Sequence, residues 1–157
     1  MIVMKFGGTS VGNAERINNV ANLIKSYVKK NPVVVVSAVA KITDMLIKLG
    51  NECARGKGDD ILDDIKRIHF KILEKLKIDK TLLKKELGEL SILIDEIKSD
   101  KNFNAERLDN IQSFGEQMSS KIVAEQLNIM GVKSQAYNSW ELGFLTDTEF
   151  GNAEPLD

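Results

Sequence analysis

Cysteine is almost missing from this chain. Cys53 is the only one in 157 residues. It has no intrachain partner for a disulfide, and no cluster of thiols exists to hold a metal. Such usage fits a reducing compartment. Charge of one sign is lacking too. The formal net charge is -1, so no polyanion-binding surface is indicated and nucleic acid is not an expected partner. Long hydrophobic runs are absent. The longest, Pro32-Val33-Val34-Val35-Val36-Ser37-Ala38-Val39-Ala40, falls far short of a membrane span. No signal-peptide pattern opens the chain: its first lysine follows the apolar residues, and glycines come next. These absences describe a soluble, cytoplasmic protein without a membrane partner.

What is present is an ordinary globular composition, 43% hydrophobic and 29% charged, long enough for one domain with a real core. Residues 2–6 read as a buried strand, and residues 7–12 as a loop. Asn13 is a candidate N-cap, with Glu15 in the first helical turn. Ile17, Val20, Ala21, Ile24 and Val28 recur at helical spacing to about Lys30. Asn31-Pro32 ends that helix. Val33 to Val36 is β-branched without alternation, the pattern of a strand covered on both faces. Strand, helix and strand in such short order form a βαβ unit with a right-handed crossover.

A second helix is expected from about Thr43 to Arg55, before the break at Gly56-Lys57-Gly58. Ile61, Leu62, Ile65, Ile68, Ile72, Leu73 and Leu76 form one helical stripe, and Leu83, Leu87, Leu90, Ile94 and Ile97 another. Together, over about 59–100, they predict a charged helical hairpin on the flank of the domain. A longer helix from about Asn104 carries Leu108, Ile111, Phe114, Met118 and Ile122 to near Met130, where Gly131 is a fitting stop. Residues 132–137 look like a third strand, and 140–146 like a strand or hairpin. The fold class is α/β.

The opening stretch Met1-Ile2-Val3-Met4-Lys5-Phe6-Gly7-Gly8-Thr9-Ser10-Val11-Gly12 carries the chemistry. In open α/β sheets, ligands sit beyond the carboxyl ends of the strands. Gly7 and Gly8 lie there, and glycines let backbone N–H groups approach an anion. The next helix points its N-terminus, with partial positive charge, at the same place. Lys5 stands near the strand's end, and Thr9 and Ser10 add donors. The glycine spacing of a P-loop is present, but Asn13-Ala14 replaces its Lys and Ser/Thr. By pattern alone, a phosphate cradle and a tight turn with a snorkelling lysine both remain open.

A resemblance extends that reading. Lys5-Phe6-Gly7-Gly8-Thr9-Ser10-Val11-Gly12 resembles the N-terminal signature of aspartate kinases, members of the amino-acid kinase superfamily. Val33-Val34-Val35-Val36-Ser37-Ala38, with Ile42-Thr43-Asp44, is similar to the family's second strand and substrate-binding turn. Ser113-Phe114-Gly115-Glu116-Gln117-Met118-Ser119-Ser120 resembles its S-F-G-E-x-x-S-S helix. Thr146-Asp147 and Phe150-Gly151-Asn152-Ala153-Glu154-Pro155 look like the segment after its third strand. The four occur in family order.

The resemblance implies a three-layer αβα sandwich with a mainly parallel sheet, and transfer of the γ-phosphoryl of Mg-ATP to the β-carboxylate of L-aspartate. It implies that Lys5 stabilises charge on the transferring group. Phe6, Gly7, Gly8, Thr9 and Ser10 then line the phosphates. Ser37 lines the site, Thr43 contacts aspartate, and Glu116 takes its α-ammonium. Ser113, Glu116 and Ser120 share one helical face, and Gly115 leaves room for another backbone. ATP and Mg2+ are the implied cofactors, with no protein metal ligand assigned. The whole protein is implied to be a homo-oligomer.

Other residues have simpler readings. His69, beside Ile68 and Ile72, is a structural histidine rather than a catalytic one. Asp59-Asp60 and Asp63-Asp64 cap a helix rather than bind a metal. Cys53 and Trp140 are packing residues.

The inventory is also short of one site. The matched motifs supply one cation, Lys5, while Glu116 is negative. In the family, a later glycine-rich segment with arginine and aspartate, the adenine pocket and the ACT regulatory domains follow. The expectation is therefore an N-terminal portion of the kinase domain, inactive alone and binding neither ATP nor Mg2+ tightly. A non-catalytic anion- or amino-acid-binding module, or a different amino-acid kinase, are the alternatives.

Overall fold

The computed structural model describes residues 1–156. Strand β1 (Ile2–Phe6) pairs in parallel with β2 (Pro32–Val36), in the register Ile2↔Pro32 through Phe6↔Val36. Between them runs α1 (Ala14–Ser26), followed by a single 3-10 turn. Asn13 caps α1, its Oδ1 accepting from the Arg16 amide at 3.0 Å. Asn31, in the left-handed region at φ 48°, reverses the chain into β2. Asparagine tolerates that conformation better than most residues.

Four more helices follow: α2 (Ile42–Cys53), α3 (Asp59–Leu76), α4 (Lys84–Asp100) and α5 (Ala105–Ile129). Their stripes fall where the periodicity places them. Ile65, Leu73, Leu83, Leu90, Ile97, Ile111 and Met118 are all fully buried. The two helices of the flank differ from a simple hairpin. Both α3 and α4 lean on α2, and α4 also packs on α5. An ion pair from Lys98 Nζ to Asp59 Oδ1, 2.5 Å, joins the end of α4 to the start of α3. Gly50 lets Phe103 into this layer: a Cβ there would lie 2.2 Å from the Phe103 ring.

The sheet departs from expectation on one face. Met4, Phe6, Val34 and Val36 pack against the helical core, while Val3, Val33 and Val35 are 65%, 46% and 46% exposed. Four consecutive valines look alike in sequence, but strand residues alternate in direction. Among the described residues, helices cover only one side. Residues 132–137 form no ladder, and 139–142 is a 3-10 turn. Among the described residues, one isolated antiparallel bridge, Thr146↔Pro155, is the pairing found outside β1 and β2. β-propensity needs a partner edge to become a strand, and here 132–137 instead borders a groove beside β2 and α5. Trp140 is half exposed rather than core. No described helix is long and apolar enough to cross a membrane.

Candidate functional site

The loop after β1 is a run of tight turns. The Ser10 amide donates to Gly7 O at 2.9 Å, Val11 to Gly8 O at 3.3 Å and Gly12 to Thr9 O at 3.4 Å. Arg16 braces it from α1, its guanidinium donating to Thr9 O at 2.7 Å. Glycine is required at position 8, because a Cβ there would meet Ala38 O at 2.7 Å. The first loop thus lies directly against the one that leaves β2. The two strands also continue their pairing at this end, with the Ser37 amide donating to Phe6 O at 3.0 Å.

Helix α5 meets the same junction. A Cβ on Gly115 would lie 2.6 Å from Ala38 Cβ, so the helix passes close over the second loop. Glu116 Oε1 accepts from the Ala38 amide at 3.1 Å. The buried Ser119 hydroxyl donates to Ser37 O at 2.7 Å. Two polar side chains of α5 therefore hold successive residues of the loop after β2. That loop turns into α2 through Lys41, which is left-handed at φ 71°, and Thr43 stands half-buried in the first turn of α2.

Of the residues singled out from sequence, Phe6, Gly7, Gly8, Ser37 and Glu116 are brought into one junction by these contacts. Thr9 and Ser10 form its exposed rim. Lys5 stands across from Val35 on the open face of the sheet and is exposed. The seam of Ser113, Glu116 and Ser120 does not act as a unit. The Ser113 hydroxyl donates to Asn110 O and that of Ser120 to Gln117 O, both within their own helix. Ser119, the Ala38 amide and Arg16 are the participants that sequence reasoning passed over. Ser119 lay inside a quoted motif, and only its small polar side chain on a buried helix face could have marked it.

Several groups resolve into structural roles. His69 is fully buried, with Nδ1 2.8 Å from Ile65 O. Burial holds its imidazole below the ordinary value, against the opposing pull of that hydrogen bond. Cys53, the last residue of α2, is buried, and burial pushes its thiol up despite nearby Lys98. Both effects disfavour the charged form.

The donor set bears on magnesium. Glu116 is the carboxylate of the junction, and one of its oxygens already accepts from Ala38. No group of three or more His, Cys, Asp or Glu gathers to hold a metal ion among the described residues. The residues here do not fit a protein-held magnesium ion.

Comparison with known proteins gives the lineage. The model of the amino acid kinase family matches residues 1–156. Aspartokinase 1, chloroplastic, of Arabidopsis thaliana is 38% identical over 160 residues, covering 99% of this chain and 28% of that protein. The lysine-sensitive aspartokinase 3 of Escherichia coli is 30% identical, over 99% of this chain and 34% of the relative. The crystal structure of E. coli aspartokinase III in complex with aspartate and ADP superposes with a TM-score of 0.86 at 31% identity, over 99% of this chain and 34% of that one. This chain thus spans about a third or less of the length of these relatives. The βαβ start, the interlocked loops and the helix over them are in this way those of a known fold: the chain belongs to the amino acid kinase family, with its likeness to aspartokinases running along nearly its whole length.

Proposed function

We propose that this chain forms one wall of an aspartate kinase site, in a whole protein that transfers the γ-phosphoryl of ATP to the β-carboxylate of L-aspartate, giving 4-phospho-L-aspartate. One observation carries the reading: loop 7–12, the loop after β2 and Glu116 interlock at the carboxyl ends of both strands. In this reading the backbone at Gly7 and Gly8 cradles phosphate oxygens, and the Lys5 ammonium offsets charge that grows on the transferring group. Phosphoryl transfer depends mostly on such positioning and electrostatics. Glu116 uses one oxygen to hold Ala38 and offers the other to the aspartate ammonium. Thr43 lies at the start of α2, where the helix N-terminus favours a carboxylate. The opposite wall comes from the parts of the relatives that this chain does not span. Magnesium in this scheme is carried by the nucleotide's own phosphates, as is common for that ion.

The test is hydroxylamine trapping on the whole protein with ATP and aspartate. Aspartyl hydroxamate formation supports the reading. Its absence, with the enzyme folded, removes it. A parallel assay with other amino-acid carboxylates separates aspartate kinase from a kinase of another acceptor.

A further inference from the structure

One peptide bond at the junction is held at both ends by α5. The carbonyl of the Ser37–Ala38 peptide accepts from the Ser119 hydroxyl at 2.7 Å. The N–H of the same peptide donates to Glu116 Oε1 at 3.1 Å. The bond is trans, so its two polar groups point in opposite directions. Glu116 and Ser119, one turn apart on α5, therefore clamp a single plane from its two ends. That peptide is the first one past the strand pairing, which closes with the Ser37 amide on Phe6 O at 3.0 Å. Beyond Ser37 the chain leaves the sheet, and α5 supplies the hold.

Ser119 is fully buried. Alanine would suit a buried helical position better, since serine is the weaker helix former. The hydroxyl also lies 3.2 Å from Glu116 O, the local partner of a helical serine, yet its shorter contact crosses to the loop. Without that hydroxyl the Ser37 carbonyl loses a donor, and the plane is free to turn. A turned plane takes the Ala38 N–H away from Glu116, and the carboxylate loses the bond that sets its direction.

We propose that Ser119 is a positioning residue for the amino-acid acceptor. It touches no substrate. It acts through the Ser37–Ala38 peptide, which aims the second oxygen of Glu116 at the acceptor's ammonium and keeps Ser37 in register with it. The proposal rests on the kinase reading above. A misdirected carboxylate keeps its charge but loses the aligned hydrogen bond. The loop after β1 keeps its own braces, the Ser10 turn and Arg16 on Thr9 O, so nucleotide binding is spared.

The experiment is steady-state kinetics of Ser119→Ala in the whole protein by hydroxylamine trapping, beside amide exchange on this chain. The KM for aspartate should rise about tenfold, the lower end of what a misplaced group costs, while the KM for ATP stays at the parent value. Ser119→Cys, with a weak donor, should fall between parent and Ala. Ser120→Ala, which removes a hydroxyl bonded within its own helix, should match the parent. The Ala38 amide should exchange about fivefold faster in Ser119→Ala, the scale of one lost hydrogen bond, with the buried Ile111 and Met118 amides unchanged. An unchanged KM for aspartate, or equal rises in both KM values with faster exchange throughout α5, would overturn the proposal. A parent that forms no hydroxamate removes the kinase reading and the acceptor role with it; faster exchange confined to Ala38 would then still show the clamp.

Discussion

The Ala38 amide donates to Glu116 Oε1 at 3.1 Å, although the two residues lie 78 positions apart. This bond gives Glu116 a structural duty besides any substrate contact, and the two can be separated. Gln still offers an oxygen to Ala38 but lacks the charge. Glu116→Gln should leave stability within about 0.5 kcal/mol. In the whole enzyme it should raise the KM for aspartate about tenfold or more. Glu116→Ala loses both roles and should also cost about 1 kcal/mol of stability. An unchanged KM in the glutamine variant would assign Glu116 to loop support alone.

Lys5 is the cation of the phosphate wall in this scheme. Lys5→Ala in the whole protein should lower turnover about a hundredfold, the scale of losing one oxyanion donor. Urea unfolding should barely change, because Lys5 is exposed. A near-native rate removes Lys5 from the mechanism.

The contact of Gly115 with Ala38 invites a repair experiment. Gly115→Ala places a methyl 2.6 Å from Ala38 Cβ and should destabilise the chain by about 1–3 kcal/mol through overpacking. Adding Ala38→Gly removes the colliding atom and should recover much of that loss. If the two losses simply add, the helix is not held by this contact.

Glu86 is 3% exposed and pairs with Lys121 at 2.5 Å, while its Oε2 has no partner. Lys121→Met leaves a buried carboxylate uncompensated and should cost about 3–5 kcal/mol. The double variant Lys121→Met with Glu86→Leu should be far closer to the parent. Denaturation midpoints with a constant m-value read both. A single variant as stable as the parent would show that the ion pair supports nothing.

His69 predicts an acid-sensitive core. Its folded pKa lies below the ordinary value of 6.5, so the unfolded state binds the proton more readily. Its stabilising contribution is present in full above about 6.5 and declines as pH falls from there towards the folded pKa. Stability measured from pH 7.5 to 5.5 should decline, and His69→Gln should flatten that slope. An unchanged slope would place the pH dependence elsewhere.

Much of this was readable in sequence because the relevant signals act locally. The Asn13 cap spans three residues, and the buried stripe of α3 repeats within each turn. The glycine pair stood out because few other residues allow such close backbone approach. The third strand was not readable, because residues 132–137 have the propensity but form no ladder. Nor did four consecutive valines reveal which two face out. That depends on which side of the sheet the helices occupy.

The sequence by itself determined the element order, the buried stripes, the opening loop and the kinship carried by Lys5 to Gly12 and Ser113 to Ser120. Period, capping chemistry and backbone freedom operate within a few residues, so the string records them. Only the tertiary structure decided that Gly8 touches Ala38, that Ser119 rather than Ser120 holds Ser37, and that the buried Gln126 amide reaches Asn18 of α1. Those outcomes depend on how α5 crosses the two loops and α1. Such packing joins residues dozens of positions apart, and no local pattern encodes it.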